Sequence, residues 1–353
     1  MWGMAVAQPV DVDPAVVDFA VVGAWMDEQK FPTGEFEDVT TLGGGTQNIM
    51  LRFTRGGRVY VLRRGPEHLR ARSNDVIRRE ARLLGALNGA EVRAPRVIAA
   101  CPDESVLGAV FYLMEPIHGF NPQNELPALH AGDPEIRRQM GLSAVEAIAR
   151  LGAVDYRALG LADYGKPEGF LERQVPRWLG ELESYSANAG YPGPEIPGVE
   201  RVGEWLDRNR PAQWSPGILH GDCHLANMMF SFDGPQVAAM VDWEMSTIGD
   251  PLLDLGWQIA TRPEPGSTGA ALVGKLGAVG GLPTPEEMVA HYGRFSDRDL
   301  DAVPWYTVLA CFKLGIVLEG THARAFAGKA PKPVGDFLHA ITLELFDRAQ
   351  RLM

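Results

Sequence analysis

The chain has 353 residues and a formal net charge of −12, with 46% hydrophobic and 22% charged residues. This composition is typical of a water-soluble globular protein with room for two domains. The negative charge disfavours nucleic acid and anionic membrane as partners, since both require a basic face, and mildly favours cationic substrates. No apolar run reaches the roughly 18 residues of a membrane span, and the N-terminus lacks the features of a signal peptide.

The cysteine pattern indicates a reducing, cytoplasmic environment. Cys101, Cys223 and Cys311 are odd in number and far apart in the sequence. Neither a disulfide framework nor a zinc knuckle has this spacing.

The first third of the chain predicts a flexible tail over residues 1–12 and a small sheet-rich domain over residues 13–116. Asp13 and Pro14 mark a helix start, and apolar residues follow at helical spacing. The next predicted elements are a loop, a strand, a helix and a strand, over residues 41–48, 59–63, 73–88 and 110–114. Pro116 and Gly119 then predict a hinge.

The remainder, residues 117–353, is predicted to be a mainly helical domain. Its predicted helices cover residues 134–154, 170–186 (with a kink at Pro176), 198–209 and 251–261. One β-hairpin interrupts them, because the apolar runs 228–232 and 236–241 flank the turn residues Asp233, Gly234 and Pro235.

The hairpin determines which residues lie near the motif that precedes it, His220-Gly221-Asp222-Cys223-His224-Leu225-Ala226-Asn227. If the turn centres between residues 234 and 235, Asn227 lies opposite Asp242, with Cβ atoms roughly 5 Å apart. Two oxygen ligands at this distance suit Mg²⁺, which takes one or two protein oxygens plus phosphate and water. Asp222 lies on the loop before the hairpin, where it is able to accept a proton.

The pattern His-Gly-Asp-x-His-x-x-Asn, followed by Val-Asp-Trp-Glu and Gly-Asp-Pro-x-x-Asp-Leu, is similar to the aminoglycoside phosphotransferase and choline kinase family. From about Leu42 to the C-terminus, the sequence is most similar to the subgroup with kinase domains attached to some acyl-CoA dehydrogenases. The resemblance implies an α+β, protein-kinase-like bilobal fold with a small antiparallel-sheet N-lobe and a larger, mainly helical C-lobe. It implies that Asp222 is the catalytic base, that Asn227 and Asp242 hold Mg²⁺, and that His220 and Asp254 brace the loop.

A glycine-rich stretch precedes the predicted strands and contains Gly43, Gly44, Gly45, Thr46 and Asn48. Glycine lets backbone N–H groups approach a phosphate closely. A plain turn is the alternative for such a stretch, and its position ahead of the next two elements favours phosphate binding. The stretch is not a Walker A loop, because no Gly-Lys-Ser/Thr follows.

Arg63 stands where the resemblance places a phosphate-binding lysine at the end of a strand. Side chains alternate along that strand, so Val61 and Arg63 share one face and Arg64 lies on the other. Arginine keeps the charge, although it is not interchangeable with lysine. Whether Arg63 or Arg64 binds the phosphates stays open.

Glu80 lies within the apolar stripe of the predicted helix that also contains Ile77, Leu84 and Leu87. An inward carboxylate needs a cation, which favours an ion pair with Arg63. The alternative is a glutamate at the stripe edge that pairs with Arg79 or Arg82.

The resemblance further implies an adenine site where Val61 and Met114 line the pocket and the backbone of Glu115 and Ile117 hydrogen-bonds the base. The predicted activity is ATP- and Mg²⁺-dependent transfer of the γ-phosphoryl group to a hydroxyl of a small molecule. The preference for ATP over GTP and the oligomeric state stay open.

The acceptor also stays open between an aminoglycoside-like compound and a hydroxyacyl-CoA. Its candidate walls are aromatic residues that are equally consistent with core packing, namely Trp178, Tyr185, Trp305, Tyr306 and Phe312. Acids of residues 168–183 would suit the first acceptor, whereas Arg173 and Arg177 would suit the second.

Two other functions compete with a kinase. A nucleotide-binding pseudokinase would explain the missing lysine. A zinc hydrolase would use His220, His224 and Asp242, although the other histidines show no matching cluster in the sequence.

Overall fold

The computed structural model describes residues 16–42, 48–69, 71–263 and 266–353. These residues divide into two compact units. The N-terminal unit runs to His118 and includes Leu159–Leu161, and the C-terminal unit comprises Gly119–Ala158 and Ala162–Met353.

The N-terminal unit contains a five-stranded antiparallel sheet and three helices. The strands are β1 Phe36–Thr41, β2 Ile49–Arg55, β3 Arg58–Arg64, β4 Val97–Cys101 and β5 Phe111–Met114, in the order β1-β2-β3-β5-β4. The helices are α1 Phe19–Glu28, α2 Ser73–Leu87 and α3 Glu104–Leu107.

Alternation along β3 separates its side chains into two buried sets. Tyr60 and Leu62 join the apolar cluster that contains Val22 and Met26 of α1. Arg63 pairs instead with Glu80 of α2, whose stripe of Ile77, Glu80, Leu84 and Leu87 is buried as predicted. The period of two in a strand therefore gives one face to the core and the other to α2.

The start of this unit differs from the prediction. Helix α1 begins at Phe19, where the Asp18 side chain accepts hydrogen bonds from the N–H groups of Ala20 and Val21. Asp13 and Pro14 lie outside the described residues. The buried residues of α1 are Val22, Gly23, Trp25 and Met26.

The C-terminal unit is mostly helical. Its helices are α4 Ala128–Gly132, α5 Pro134–Gly152, α6 Gln174–Ser184, α7 Val199–Arg208, α8 Leu252–Ala260, α9 Gly274–Val279, α10 Pro285–Tyr292, α11 Val303–Phe326 and α12 Lys332–Leu352. Two small antiparallel sheets pair β6 Gly217–Leu219 with β9 Thr247–Gly249, and β7 Met228–Phe230 with β8 Val237–Met240.

Helix α6 starts four residues later than predicted, at Gln174. Pro176 lies in its first turn, where the proline nitrogen has no helical hydrogen bond to lose. The predicted kink is therefore wrong.

Helix α11 is the central helix of this unit and packs against α8 and α12. Within the described part of the chain it is the one helix long and apolar enough to cross a membrane, and 89% of the qualifying window is buried inside the protein. Lys313 and Glu319 interrupt its apolar residues, so no unbroken apolar run of membrane-spanning length marks this helix in the sequence. The buried central helix of a globular domain can be as long and as apolar as a membrane-spanning helix.

Candidate functional site

The loop between β6 and β7 carries the motif residues and is fastened to α8. The N–H groups of His220 and Gly221 donate to the two carboxylate oxygens of Asp254, at 2.6 and 2.9 Å. Burial raises the pKa of Asp254, and the nearby His220 ring and these N–H groups act in the opposite direction. Asp254 is only 1% exposed, so it acts as a brace for the backbone.

His220 is fully buried and both of its ring nitrogens have partners. Nε2 lies 3.0 Å from the Val241 carbonyl oxygen, and Nδ1 is 3.4 Å from the backbone nitrogen of Asp222. A carbonyl only accepts and an N–H only donates, so the proton belongs on Nε2 and the lone pair on Nδ1. The imidazole positions the loop and has no nitrogen left for a metal.

Asp222 is a buried carboxylate with one satisfied and one unsatisfied oxygen. Oδ2 accepts from Asn227 Nδ2 at 3.2 Å, and the same amide nitrogen donates to the Asp222 carbonyl at 2.9 Å. Oδ1 is buried and has no hydrogen-bond donor among the described residues. A buried acceptor without a donor costs about 1–3 kcal/mol, so this oxygen is arranged to receive a donor from outside the chain.

The nearest cation candidate for that oxygen is His224, whose Nε2 is 3.6 Å from Asp222 Oδ1. Burial lowers the pKa of His224, and the nearby Asp222 carboxylate opposes the shift. A neutral imidazole at this distance leaves Asp222 free to act as a base.

The hairpin that carries Asn227 and Asp242 has a different register from the prediction. Met228 pairs with Met240, and the Val241 N–H donates to the Asn227 carbonyl at 2.8 Å. Asn227 therefore lies opposite Val241, and the predicted pairing with Asp242 is wrong by one residue. The cause is the turn, which is centred between residues 233 and 234, since Phe230 pairs with Val237 and the Ser231 N–H donates to the Gln236 carbonyl. A register shift between Met229 and Phe230 then moves the pairing one residue back toward the predicted one.

Asp242 has a φ of +66°, in the left-handed region. Aspartate and asparagine tolerate this region better than most residues. The positive φ turns the chain out of β8 and into the short helical turn Trp243–Met245. Asn227, with its amide nitrogen committed to Asp222, and Asp242 both offer oxygen, and oxygen donors fit Mg²⁺.

Lys313 is a positioning residue that the sequence analysis missed. It lies on α11, is 5% exposed, and donates from Nζ to the Gly221 carbonyl at 2.8 Å. Nζ also lies 4.3 Å from the centre of the Trp257 ring. Burial lowers the pKa of Lys313 to about 8, against the attraction of Asp222 and Asp254. A single lysine within the apolar run of α11 was the available sequence signal.

Further contacts fix the loop from the same side. Gln258 donates to the Cys223 carbonyl at 2.6 Å, and the Cys223 thiol lies 3.2 Å from the Asp254 carbonyl. Gly221 has a φ of +84°, and a Cβ there would overlap the Met245 carbonyl oxygen. Glycine is therefore required at this position.

In the N-terminal unit, the predicted ion pair between Arg63 and Glu80 is present. Arg63 Nε is 2.9 Å from Glu80 Oε2, and the side chains are 9% and 2% exposed. Arg82 contacts the Gly160 carbonyl at 2.9 Å.

Arg64, on the opposite face of β3, is also buried and its Nε has no hydrogen-bond partner in the described structure. Burial lowers the pKa of Arg64.

The other predicted nucleotide residues are only partly described. Val61 and Met114 are buried and directly paired in the sheet. The Glu115 N–H donates to the Arg96 carbonyl at 2.9 Å, so of its backbone groups only the carbonyl remains for a base. Ile117 and Asn48 are half-buried. Gly43, Gly44, Gly45 and Thr46 lie outside the described residues.

The aromatic residues proposed as acceptor walls are mostly core residues. Trp178, Trp305, Tyr306 and Phe312 are between 0% and 6% exposed. Tyr185 is half-buried against Gly320. For all but Tyr185, core packing is therefore the correct interpretation.

A cavity of about 310 Å³ lies in the C-terminal unit along the ends of α8 and α12, and none of the predicted catalytic residues lines it. Two of its arginines are held by internal contacts, Arg348 on the Ala260 carbonyl and Arg262 on the Pro283 carbonyl. We therefore place the chemistry at the loop of Asp222 and not in this cavity.

The zinc-hydrolase set of His220, His224 and Asp242 does not form a metal-binding group. Across the described ranges, the one group of His, Cys, Asp and Glu side chains with suitable spacing is Glu319, His322 and His339. The expectation that the remaining histidines form no cluster is wrong, because these two histidines lie on different helices and meet only in the folded chain.

The antiparallel sheet of the N-terminal unit and the helical C-terminal unit define a protein-kinase-like fold. A family model described as the phosphotransferase enzyme family matches residues 38–290. The chain belongs to this family.

Curated relatives include mouse acyl-CoA dehydrogenase family member 10, which is 30% identical over 77% of this chain and 25% of its own length. Human acyl-CoA dehydrogenase family member 11 is 30% identical over 80% of this chain and 36% of its own length. The chain thus spans about a quarter to a third of the relatives it matches.

Solved structures are similar over nearly the whole chain. A candidate aminoglycoside phosphotransferase from Ralstonia eutropha has a TM-score of 0.76 and 28% identity, covering 95% of this chain and 99% of its own. The GDP and kanamycin complex of APH(2")-IIIa has a TM-score of 0.61 and 17% identity, covering 93% and 98%. The second likeness concerns the fold alone.

Proposed function

We propose that the protein is an ATP- and Mg²⁺-dependent O-phosphotransferase that phosphorylates a hydroxyl group of a small molecule. The observation that carries this proposal is the buried Asp222 carboxylate, whose Oδ1 has no hydrogen-bond donor within the described ranges while Oδ2 accepts from Asn227. An acceptor hydroxyl supplies the missing donor. A group that binds a hydroxyl proton in the ground state is well placed to take it during transfer.

In the proposed reaction the acceptor oxygen forms a bond to the γ-phosphorus of ATP. The bond between that phosphorus and the bridging oxygen of ADP breaks, and the hydroxyl proton passes to Asp222. The transition state of such transfers is loose and anionic, so positioning and charge neutralisation supply most of the rate. Arg63, oriented by Glu80, is the residue proposed to bind phosphate oxygens.

Asn227 and Asp242 are the residues proposed to hold Mg²⁺, which when bound neutralises charge on the phosphates. The Asn227 amide nitrogen bonds both the carbonyl and Oδ2 of Asp222. This orientation directs the amide oxygen away from Asp222. Asn227 thereby links the proposed base to the proposed metal site.

For the acceptor, we favour an anionic compound such as a hydroxyacyl-CoA over a cationic aminoglycoside. A row of side chains leads from the loop to the surface of α6: Lys313 holds Gly221, Lys313 Nζ is 5.6 Å from the Trp178 ring, and Arg177 lies 4.9 Å from that ring. Arg177 is exposed. As the exposed cation of this row, Arg177 is placed to attract an anionic carrier. The names of the curated relatives support the same choice.

The test is ADP release and mass spectrometry of the product with hydroxyacyl-CoAs and aminoglycosides as acceptors. Asp222→Asn should retain folding and ATP binding and lose roughly 10²–10⁴-fold in turnover, because the amide cannot take the proton. Asp233→Asn, an exposed change in the hairpin turn, is the matched control and should leave turnover unchanged.

Turnover of Asp222→Asn within a few-fold of wild type, measured with a true acceptor, would contradict the assignment of the base. ATP binding without phosphorylation of any acceptor would favour the pseudokinase alternative. A pseudokinase has no need of a base at Asp222, and its main support is the replacement of lysine by Arg63.

A further inference from the structure

Helices α11 and α12 each carry a carboxylate and a histidine three residues apart. The pairs are Glu319 with His322 on α11 and Asp336 with His339 on α12. The helices form a hairpin, joined by residues 327–331, with extensive mutual contact. Residues three apart lie on one face of a helix, so both pairs meet at the helix interface.

The histidine of each helix lies close to the carboxylate of the other helix. His339 Nδ1 lies 2.7 Å from Glu319 Oε2, and His322 Nδ1 lies 3.5 Å from Asp336 Oδ1. The two imidazole rings are stacked, with centroids 4.4 Å apart and an interplanar angle of 19°. One ligand atom from each of Glu319, His322 and His339 lies within 4.8 Å of the others.

Hydrogen bonds among the described residues do not provide a partner for every buried polar atom of this cluster. Glu319 is 0% exposed, and its carboxylate accepts hydrogen bonds from the Tyr191 hydroxyl, at 2.7 Å, and from His339. His322 is 9% exposed, and its buried Nδ1 has no hydrogen-bond partner in the described chain. The cluster therefore combines a buried carboxylate with a buried imidazole nitrogen that has no hydrogen-bond partner among the described residues.

We propose that Glu319, His322 and His339 bind a divalent transition-metal ion of the Zn²⁺ class. Two imidazoles and a carboxylate favour such an ion over Mg²⁺ or Ca²⁺, which prefer oxygen ligands. Ligand atoms about 2.0–2.2 Å from a tetrahedral ion are separated by roughly 3.4 Å. In the structure one ligand atom from each of the three side chains already lies within 4.8 Å of the other two, which is close to the spacing that such an ion requires.

The bound ion would connect three parts of the C-terminal unit. It links α11 to α12 directly and reaches the segment after α6 through the hydrogen bond from Tyr191 to Glu319. The site shares no residue with the loop of Asp222. Its role is accordingly structural, and it adds stability without taking part in phosphoryl transfer.

The experiment titrates Co²⁺ into tag-free, metal-stripped full-length protein in the presence of excess Mg²⁺. We expect one Co²⁺ per chain with the visible absorption of a tetrahedral N/O site, displacement by Zn²⁺, and a higher melting temperature with either ion. His339→Gln and His322→Gln should each weaken binding at least tenfold. His291→Gln, a half-buried histidine on α10, is the matched control and should bind as wild type does.

Glutamine keeps a hydrogen-bonding group at each position, and circular dichroism verifies that the variants fold. Asp242→Asn should retain full Co²⁺ binding, which separates this site from the proposed Mg²⁺ site. Absence of a tetrahedral spectrum in wild type overturns the proposal. Equal Co²⁺ affinity of wild type and the double variant H322Q/H339Q also overturns it.

Discussion

Arg63 and Arg64 are adjacent in sequence and similarly buried, yet only Arg63 reaches Glu80. The alternation of a strand explains the difference, because neighbouring side chains point to opposite faces. We predict that Arg63→Ala raises the KM for ATP strongly and that Arg63→Lys preserves much of the activity. Glu80→Ala should raise the same constant by freeing the guanidinium, with no effect on the KM for the acceptor.

Arg64→Ala is the internal control for that series. It removes an equally buried cation from the other face of β3, so it should lower stability with little change in the KM for ATP. A larger rise in the KM at Arg64 than at Arg63 would reject the assignment, and no rise at either would reject a cationic phosphate contact in this strand.

A second prediction concerns Lys313 and the pH dependence of the free energy of unfolding. Burial lowers its pKa to about 8 from 10.5 in an exposed lysine. Between these values the unfolded chain binds a proton that the folded chain lacks, so the free energy of unfolding rises with pH across this window. The full effect amounts to about 3 kcal/mol.

Urea unfolding of wild type and Lys313→Met from pH 7 to pH 9.5 measures this effect. Wild type should gain stability relative to Lys313→Met as pH rises, because methionine does not titrate. Lys332→Met, which removes an exposed lysine on α12, should follow wild type. Parallel curves for wild type and Lys313→Met would show that folding does not lower the pKa of Lys313.

At the scale of elements, the loop between β6 and β7 depends on a glycine for two separate reasons. Gly221 combines a positive φ with a close approach to the Met245 carbonyl, whereas Gly328 has a φ of +67° and open space around its Cβ position. Gly328→Ala should therefore cost about 1–2 kcal/mol through backbone strain alone. Gly221→Ala should cost more and also reduce kcat, because the loop must move to relieve the overlap. Denaturant unfolding and steady-state kinetics on both variants test this difference.

Some elements follow directly from the sequence and others do not. Helix α2 was predicted to within one residue, and its inward Glu80 was evident from the interrupted apolar stripe. Strand β2 was missed although Ile49, Leu51 and Phe53 alternate and are fully or nearly buried. The hairpin was predicted, but the residue types do not reveal that its turn is centred between residues 233 and 234, so Asn227 lies opposite Val241 and not Asp242.

Contacts between distant segments were beyond sequence reasoning. Lys313 is 92 residues from Gly221 along the chain, and its function in holding that carbonyl depends on where α11 packs. His322 and His339 lie on separate helices, so their stacking appears only after the helical hairpin forms. Short motifs predicted the loop itself, and tertiary packing determined what supports it.

At the scale of the whole molecule, ligand binding should appear as a change in global stability. A ligand that binds only the folded chain stabilises it by about 2.7 kcal/mol at 100 times its Kd. We predict that a nonhydrolysable ATP analogue raises the melting temperature of wild type more with Mg²⁺ than with EDTA. Asp242→Asn should lose most of the Mg²⁺-dependent increment, because asparagine tolerates the φ of +66° but lacks the charge.

Asn227→Ala should lose less of that increment than Asp242→Asn, because an amide contributes a dipole and a carboxylate a full charge. Equal Mg²⁺-dependent shifts in wild type and both variants would exclude these two residues as the metal site.

The contacts of Asp254 make the opening of the catalytic loop measurable by amide hydrogen exchange. Its two oxygens hold the amide protons of His220 and Gly221, and the carboxylate is almost fully buried at the start of α8. Deuterium from solvent can replace those two protons only when the contact between the loop and α8 opens. The exchange rates of His220 and Gly221 therefore report, without any substrate, how often Asp222 leaves its working position.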